Sequence, residues 1–257
     1  MCIVEIEGRR GYVPSCNTVV TDGMVVRTNT ERVIESRKTN LELLLSNHVG
    51  DCRPPCVLAC PAQTDCQGYV GLIANGEYGA ALELVKDKIA LPASLGRVCP
   101  HPCETECRRG LIDEPISIQM LKRFVADNDL MDDEIFIPEC EPDTGKSVAV
   151  IGGGPMGLSA AYFLRQMGHA VTIFESMPKA GGMLRYGIPE YRLPKAVLAA
   201  EVASIAALGV EMKNNVKVGE DVTLESLRAE YDAVLVAVGA WKSTGVGCEG
   251  DKLEGVL

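Results

Sequence analysis

The sequence predicts a multidomain α+β chain: a short β segment, a cysteine-rich helical domain and a Rossmann-like α/β domain in succession. Three observations carry this. Six of the 11 cysteines form two triplets, Cys52-Cys56-Cys60 and Cys99-Cys103-Cys107. An apolar run over 147–151 leads straight into Gly152-Gly153-Gly154-Pro155-Met156-Gly157 and a helical pattern. Finally, 47% apolar residues in 257 positions exclude a disordered chain and leave room for more than one packed domain.

Composition narrows the function classes. With 35 acidic and 25 basic residues the net charge is −10, so a nucleic-acid partner is not expected. No apolar run reaches the roughly 18 residues of a membrane span, and no secretory signal opens the chain. A reducing, cytoplasmic setting follows as the expectation, in which clustered thiols hold metal rather than disulfides.

Taken in order, residues 1–30 read as short strands. Ile3-Val4-Glu5-Ile6 alternates, Glu7-Gly8 and Thr21-Asp22-Gly23 turn, and Met24-Val25-Val26 extends again. A helical domain is expected over 31–130. Thr30 caps a helix to Ser46, carrying Val33, Ile34, Leu41, Leu44 and Leu45 at helical spacing. Residues 47–61 form a proline-rich, irregular first cysteine loop. Helices follow from Asp65 to Ala74 and from about Tyr78 to Ile89, split by Asn75-Gly76; after a second cysteine loop at 96–110 a last helix spans about 117–127. Residues 131–146, with acids, prolines and Asp143-Thr144-Gly145, read as a linker into the third domain, 147–257.

The cysteine spacing carries chemistry. Structural zinc favours C-x2-C knuckles, whereas both triplets here are spaced C-x3-C. Cys60-Pro61 and Cys99-Pro100 repeat the Cys-Pro step found beside cluster ligands in bacterial ferredoxins, so iron–sulfur ligation is the stronger reading and zinc the alternative. In the third domain, Gly152, Gly154 and Gly157 spell G-x-G-x-x-G between a strand and a helix. The first glycine permits a tight turn, the second admits a pyrophosphate, and the third lets helix and strand pack closely. Phosphates would then meet the free N–H groups of the helix start, which Pro155 and Met156 open. Glu175 ends the next strand 18 residues beyond Gly157, placed for a ribose diol and against a 2′-phosphate.

Longer strings resemble a known family. Gly181-Gly182-Met183-Leu184-Arg185-Tyr186-Gly187-Ile188-Pro189-Glu190-Tyr191-Arg192-Leu193-Pro194-Lys195 and Tyr231-Asp232-Ala233-Val234-Leu235-Val236-Ala237-Val238-Gly239-Ala240 resemble the FAD-binding half of the glutamate synthase small-subunit family. That family includes the large subunit of NADH-dependent ferredoxin:NADP oxidoreductase. The cysteine loops Pro55-Cys56-Val57-Leu58-Ala59-Cys60-Pro61 and Gly96-Arg97-Val98-Cys99-Pro100-His101-Pro102-Cys103-Glu104-Thr105-Glu106-Cys107 are similar to those around its two [4Fe–4S] clusters. The resemblance implies an incomplete Rossmann-like FAD-binding domain using Gly152, Gly154, Pro155, Met156, Gly157, Glu175, Gly181, Gly182, Leu184 and Arg192. It also implies that Cys56 and Cys107 share one cluster and Cys60, Cys99 and Cys103 the other.

The chain departs from that family in two places. Relatives place a C-x2-C pair where His48 and Asp51 stand here, with Cys52 displaced beside them, so His48 and Cys52 become candidate donors. Relatives also draw a Gln or Glu ligand from the position of Lys122, which cannot ligate while protonated; Gln119 and Cys66 are the substitutes considered, Cys66 being otherwise a small buried helix residue.

Cys2 and Cys16 resemble the last two ligands of a [2Fe–2S] ferredoxin-like domain. Such a cluster needs four donors, so it is expected only if an upstream segment exists. Relatives likewise continue beyond the equivalent of Gly255-Val256-Leu257 into an NADPH-binding domain, and the chain is expected to be truncated at both ends. Cys140 and Cys248 match no ligand.

The resulting expectation is an electron-transfer iron–sulfur flavoprotein segment of an NAD(P)H-dependent oxidoreductase, requiring no general acid, base or nucleophile of its own. Electrons would pass between FAD and the [4Fe–4S] clusters to a partner subunit of glutamate synthase large-subunit, ferredoxin, hydrogenase or formate dehydrogenase type. The alternative is a zinc-stapled scaffold that docks partners through a non-catalytic nucleotide fold.

Overall fold

Packing separates Met1–Cys52 from Arg53–Leu257 in the computed structural model, which describes residues 2–48, 52–132, 134–242, 247–250 and 253–254. Asp51 and the Gly255-Val256-Leu257 end lie outside the described residues.

In the first unit the alternation of Ile3-Val4-Glu5-Ile6 becomes strand β1 (Ile3–Ile6), with Val4 and Ile6 buried on one face. It pairs antiparallel with β2 (Val13–Pro14) and β3 (Val26–Arg27), in the order β2-β1-β3. Helix α1 (Glu31–Ser46) begins at Thr30, whose Oγ1 accepts from Val33 N at 3.3 Å and donates to Glu5 Oε2 at 2.7 Å. Arg37 then donates through Nε and Nη2 to the Ile3 carbonyl at 3.1 and 2.6 Å, tying α1 to β1.

The second unit opens with the cysteine-bearing helices. Inside the segment expected to be irregular lies α2 (Pro55–Ala59); proline at a first helical position loses no N–H that the helix would use, so it starts the turn rather than preventing it. Helix α3 (Cys66–Ala74) is capped by Asp65, which accepts from Gly68 N at 2.8 Å, and it ends at Asn75-Gly76, where Gly76 takes φ +80°. Helices α4 (Tyr78–Lys86), α5 (Pro92–Val98), α6 (Pro102–Thr105) and α7 (Ile118–Met131) follow, with a 3-10 turn at Arg108–Leu111. The second cysteine loop is therefore also partly helical, and proline again opens α5 and α6. Tyr69, Ala81, Leu82, Val85, Ile118 and Val125 form the core between α3, α4 and α7, with Cys66 and Cys103 buried in it.

The same unit continues as β4 (Ser147–Ile151), α8 (Pro155–Gln166), β5 (Ala170–Glu175), α9 (Gly182–Tyr186), α10 (Lys195–Ala207), β6 (Glu211–Asn214), α11 (Leu224–Glu230) and β7 (Ala233–Val236). Its four strands are parallel in the order β6-β5-β4-β7. Residues 148–151 of β4 are all buried, as expected for a central strand covered on both faces. The chain passes from β4 outward through β5 to β6, then returns to lay β7 on the other side. This reversal opens a crevice at the carboxyl ends of the strands, where α/β sheets bind ligands.

Helical and α/β parts share a core rather than merely a linker. Ala90 and Leu91 pack in one cluster with Val150, Leu158, Ile173 and Leu198. Glu201 of α10, 4% exposed, accepts from Ala93 N at 2.6 Å and Ser94 N at 2.9 Å, the N-terminal turn of α5. Lys86 donates to Asp129 at 3.4 Å and to the Phe136 carbonyl at 2.8 Å, which fastens the 131–146 segment to α4 and α7.

Candidate functional site

Strand β4 ends where the backbone must turn sharply. Gly152 has φ +108°, and a Cβ there would lie 2.4 Å from the Ala237 carbonyl oxygen. A Cβ on Gly157 would stand 1.9 Å from the Gly152 carbonyl oxygen, so α8 leaves the strand at a separation only glycine allows. Gly154 is extended and faces the backbone of Gly182, whose own φ is +49°. Around this turn lies a groove of about 420 Å³ lined by Gly152, Gly154, Pro155, Met156, Glu175 and Gly182. Its far wall adds Met183 and Ala237 to Ala240, which lie in the strings that carry the family resemblance but are not among the binding residues it implies, and Ser176, Val216–Val218 and Trp241, which the sequence did not point to. Only strand order brings these together, since β7 and the segment after β6 converge on Gly152 through hydrogen-bonded neighbours. Trp241 is the sole tryptophan, and its ring lies 5.9 Å from that of Tyr186.

The buried carboxylate of Glu175 reaches back to the glycine turn. Its Oε2 accepts from Gly153 N at 2.7 Å and its Oε1 from Met177 N at 2.8 Å. Ser176 Oγ also donates to Oε1 at 3.3 Å; a carboxylate offers about four acceptor positions, so about one is left for a ligand in the groove. Gly181 takes φ +131° and positions α9. Leu184 is a core residue packed beneath the groove, and Arg192 is exposed and does not line it.

Five triplet cysteines belong to the second unit and come from neighbouring short elements. Helix α2 carries Cys56 and ends on Cys60; α5 ends on Cys99; α6 carries Cys103; and Cys107 precedes the 3-10 turn. Helix α2 packs against α6, which brings the two loops together. His101, at φ +45°, directs its backbone N–H to Cys99 Sγ at 3.4 Å, and Gln119 Nε2 donates to the Cys99 carbonyl at 2.7 Å. The Cys66 thiol donates to the Cys56 carbonyl at 3.8 Å, and its side chain also interacts with the thiols of Cys103 and Cys60. The interaction with those two thiols is the main cause that lowers Cys103 to about 7 and Cys60 to about 4. Desolvation pushes Cys56 the other way. Among the described residues, no three His, Cys, Asp or Glu side chains converge on a single-ion site.

In the first unit, Cys52 Sγ is 3.9 Å from His48 Nε2, and both are exposed. Cys2 and Cys16 place their sulfurs 3.0 Å apart, which lowers the Cys2 thiol and raises that of Cys16. Cys140 packs on the α/β core and Cys248 is exposed. No disulfide joins any of the 11 cysteines. Among the described residues no helix is long and apolar enough to cross a membrane.

Comparison with known families places these features in three matches. Residues 28–134 match the family described as dihydropyrimidine dehydrogenase domain II, 4Fe–4S cluster; residues 146–257 match pyridine nucleotide-disulphide oxidoreductase; residues 1–31 match the 2Fe–2S iron–sulfur cluster binding domain. The chain is 44% identical over 218 residues to the NADP(+)-dependent formate dehydrogenase subunit beta of Moorella thermoacetica, covering 77% of this chain and 31% of that protein. It is 39% identical over 199 residues to the NADPH-Fe(3+) oxidoreductase subunit beta of Geobacter sulfurreducens, covering 77% and 30%. It is 37% identical over 209 residues to the glutamate synthase (NADPH) small chain of Mycobacterium tuberculosis, covering 80% and 42%. The chain thus spans less than half the length of these relatives.

Proposed function

We propose that this chain is the electron-transfer segment of an iron–sulfur flavoprotein subunit of an NAD(P)H-dependent oxidoreductase, since residues 28–134 match the 4Fe–4S family of dihydropyrimidine dehydrogenase domain II and residues 146–257 match the pyridine nucleotide-disulphide oxidoreductase family. One observation carries the reading: the cysteine loops and the dinucleotide turn are built onto one core. Glu201 of α10 holds the start of α5, and α5 ends on Cys99.

The groove suits FAD. Glycine at 152 and 157 keeps Cβ atoms out of a turn too tight to admit them, and the first turn of α8 offers backbone N–H groups to a pyrophosphate. Glu175 would accept from a ribose diol, with Gly154, Pro155, Met156 and Gly182 lining its approach. Bound flavin supplies conversion between two-electron and one-electron transfer; the chain supplies position, dryness and potential. Cys56 and Cys107 would serve one [4Fe–4S] cluster and Cys60, Cys99 and Cys103 the other, while the sequence also offers His48 and Cys52 as donors. The donor set fits iron: thiolates on short helices, with the His101 N–H aimed at Cys99 sulfur as the kind of hydrogen bond that raises a cluster's potential. Cys2 and Cys16 fit two of the four ligands of a [2Fe–2S] centre.

A partner subunit, of the kind whose names accompany the formate dehydrogenase and glutamate synthase relatives, would exchange electrons with the clusters. Eleven unpaired cysteines suit a reducing compartment such as the cytoplasm. The test counts iron, zinc and flavin on one anaerobically purified sample and records EPR after dithionite reduction. Iron with reduced-cluster signals and stoichiometric FAD is the expected result. Colourless protein with stoichiometric zinc and no flavin would overturn it.

A further inference from the structure

Resting on that reading, we propose that Cys66 is a cluster ligand, the fourth thiolate of the centre served by Cys60, Cys99 and Cys103. A four-iron centre takes four protein ligands, and this group counts three triplet cysteines. Three observations point to Cys66 as the remaining donor. It lies in one buried cluster with Cys103, against which Cys56 packs, and its sulfur is 3.8 Å from the Cys56 carbonyl oxygen, so it sits among the cysteine loops and not beside them. It is 3% exposed and heads α3, whose first turn is fixed by the Asp65 cap; the sulfur therefore has little freedom to point elsewhere. Its neighbours on α7 are less suited. Gln119, anchored by its amide nitrogen to the Cys99 carbonyl, offers iron only a neutral amide oxygen, and an ammonium such as that of a lysine has no lone pair to give.

Lys122 has a different part. It is 7% exposed, and its charge acts on Cys103. A fourth thiolate adds a unit of negative charge to a buried centre, and a buried ammonium is the group that offsets it. Ligation exchanges the Cys66 S–H bond for an Fe–S bond and releases one proton to solvent. A cysteine buried only for its size would be indifferent to replacement by alanine or serine as far as iron is concerned.

The test compares the full chain with its Cys66→Ala and Cys66→Ser variants, all purified anaerobically, by iron and sulfide content and by EPR of the reduced protein. The parent is expected to carry about eight irons in two four-iron centres. Cys66→Ala is expected to lose about one to four of them, with one of the two reduced-state signals. Cys66→Ser, whose oxygen still bonds iron, is expected to keep the centre with shifted g values and a lower potential. Parent-like iron and spectra in both variants overturn the assignment. A parent without iron overturns the cluster reading instead. If the alanine variant also loses its helical circular dichroism, the serine spectrum decides: shifted supports the ligand, unshifted overturns it.

Discussion

A single methyl group at position 157 has nowhere to go. The Gly152 carbonyl oxygen would stand 1.9 Å from it, and that oxygen belongs to backbone hydrogen-bonded into the sheet beside β5. Gly157→Ala must therefore move the start of α8 away from β4, a distortion worth about 1–3 kcal/mol of stability by analogy with overpacked cores. The phosphate-facing N–H groups move with it. Flavin affinity, read by fluorescence quenching, is expected to fall at least about tenfold, equivalent to about 1.4 kcal/mol; unchanged affinity would separate the groove from the cofactor. Lys86 poses the opposite problem, a charge inside the molecule. Its side chain is 8% exposed, paired with Asp129 at 3.4 Å, and burial holds its pKa below the ordinary value. Lys86→Met strands the Asp129 carboxylate and is expected to cost about 3–5 kcal/mol, whereas Lys86→Met with Asp129→Leu is expected to recover much of that. Chemical denaturation of the two variants checks both; equal losses would show that the pair itself, and not the stranded charge, carries the stability.

At the scale of elements, the junction of α5 and α10 turns on one carboxylate. Glu201 satisfies two N–H groups of α5 that no intrahelical carbonyl reaches. Burial raises its carboxyl above the ordinary 4.5, against the pull of those donors. The folded chain then binds this proton more tightly than the unfolded one, so the contribution is fully present below pH 4.5 and is lost as pH rises through the folded value. Glu201→Gln abolishes that titration and turns one amide NH2 toward a backbone donor. The parent is expected to be the more stable by about 1–3 kcal/mol, with the margin shrinking as pH rises across that window. A margin independent of pH would mean the carboxyl does not titrate there. Sequence alone could not anticipate this joint. Helix α10 is apolar nearly all round because Leu198 and Ile205 face the sheet while Glu201 faces α5, so no amphipathic stripe announces it. Nothing local marks Lys86 and Asp129 for burial either: they lie 43 residues apart in the chain. What was legible is local. Thr30 and Asp65 cap where their side chains suggest, and β4–α8–β5 follows from an apolar run, three glycines and a terminal Glu175. The proline-led helices α2, α5 and α6 were hidden because proline marks a helix start as readily as a loop. That 216–218 and 237–241 close the wall of the groove was hidden, although 237–240 carry part of the family resemblance, because strand order, which assembles the wall, is a long-range property.

Taken as a whole, the Arg53–Leu257 unit joins the cysteine-bearing helices to the parallel sheet without a hinge of loose chain between them. Ala90 and Leu91 lie in the core of the sheet, Tyr162 of α8 donates to the Lys86 carbonyl at 3.3 Å, and Lys86 in turn holds Phe136 of the 131–146 segment. A carrier that moves electrons between two centres gains from such a joint, because a fixed separation keeps the transfer rate fixed. The consequence is cooperative opening. Elements that share buried contacts unfold together, whereas those joined by a flexible linker open independently. In native-state hydrogen exchange on the full chain, the slowest amides of α4 and α7 are therefore expected to open with the same free energy as those of β4 and β5. Glu201→Ala, which leaves the Ala93 and Ser94 N–H groups buried without their acceptor, is expected to lower both sets together by about 2–3 kcal/mol. Protection lost from α4 and α7 alone, with β4 and β5 unchanged, would show two domains that merely touch, and the single core beneath cysteine loops and groove would fail with it.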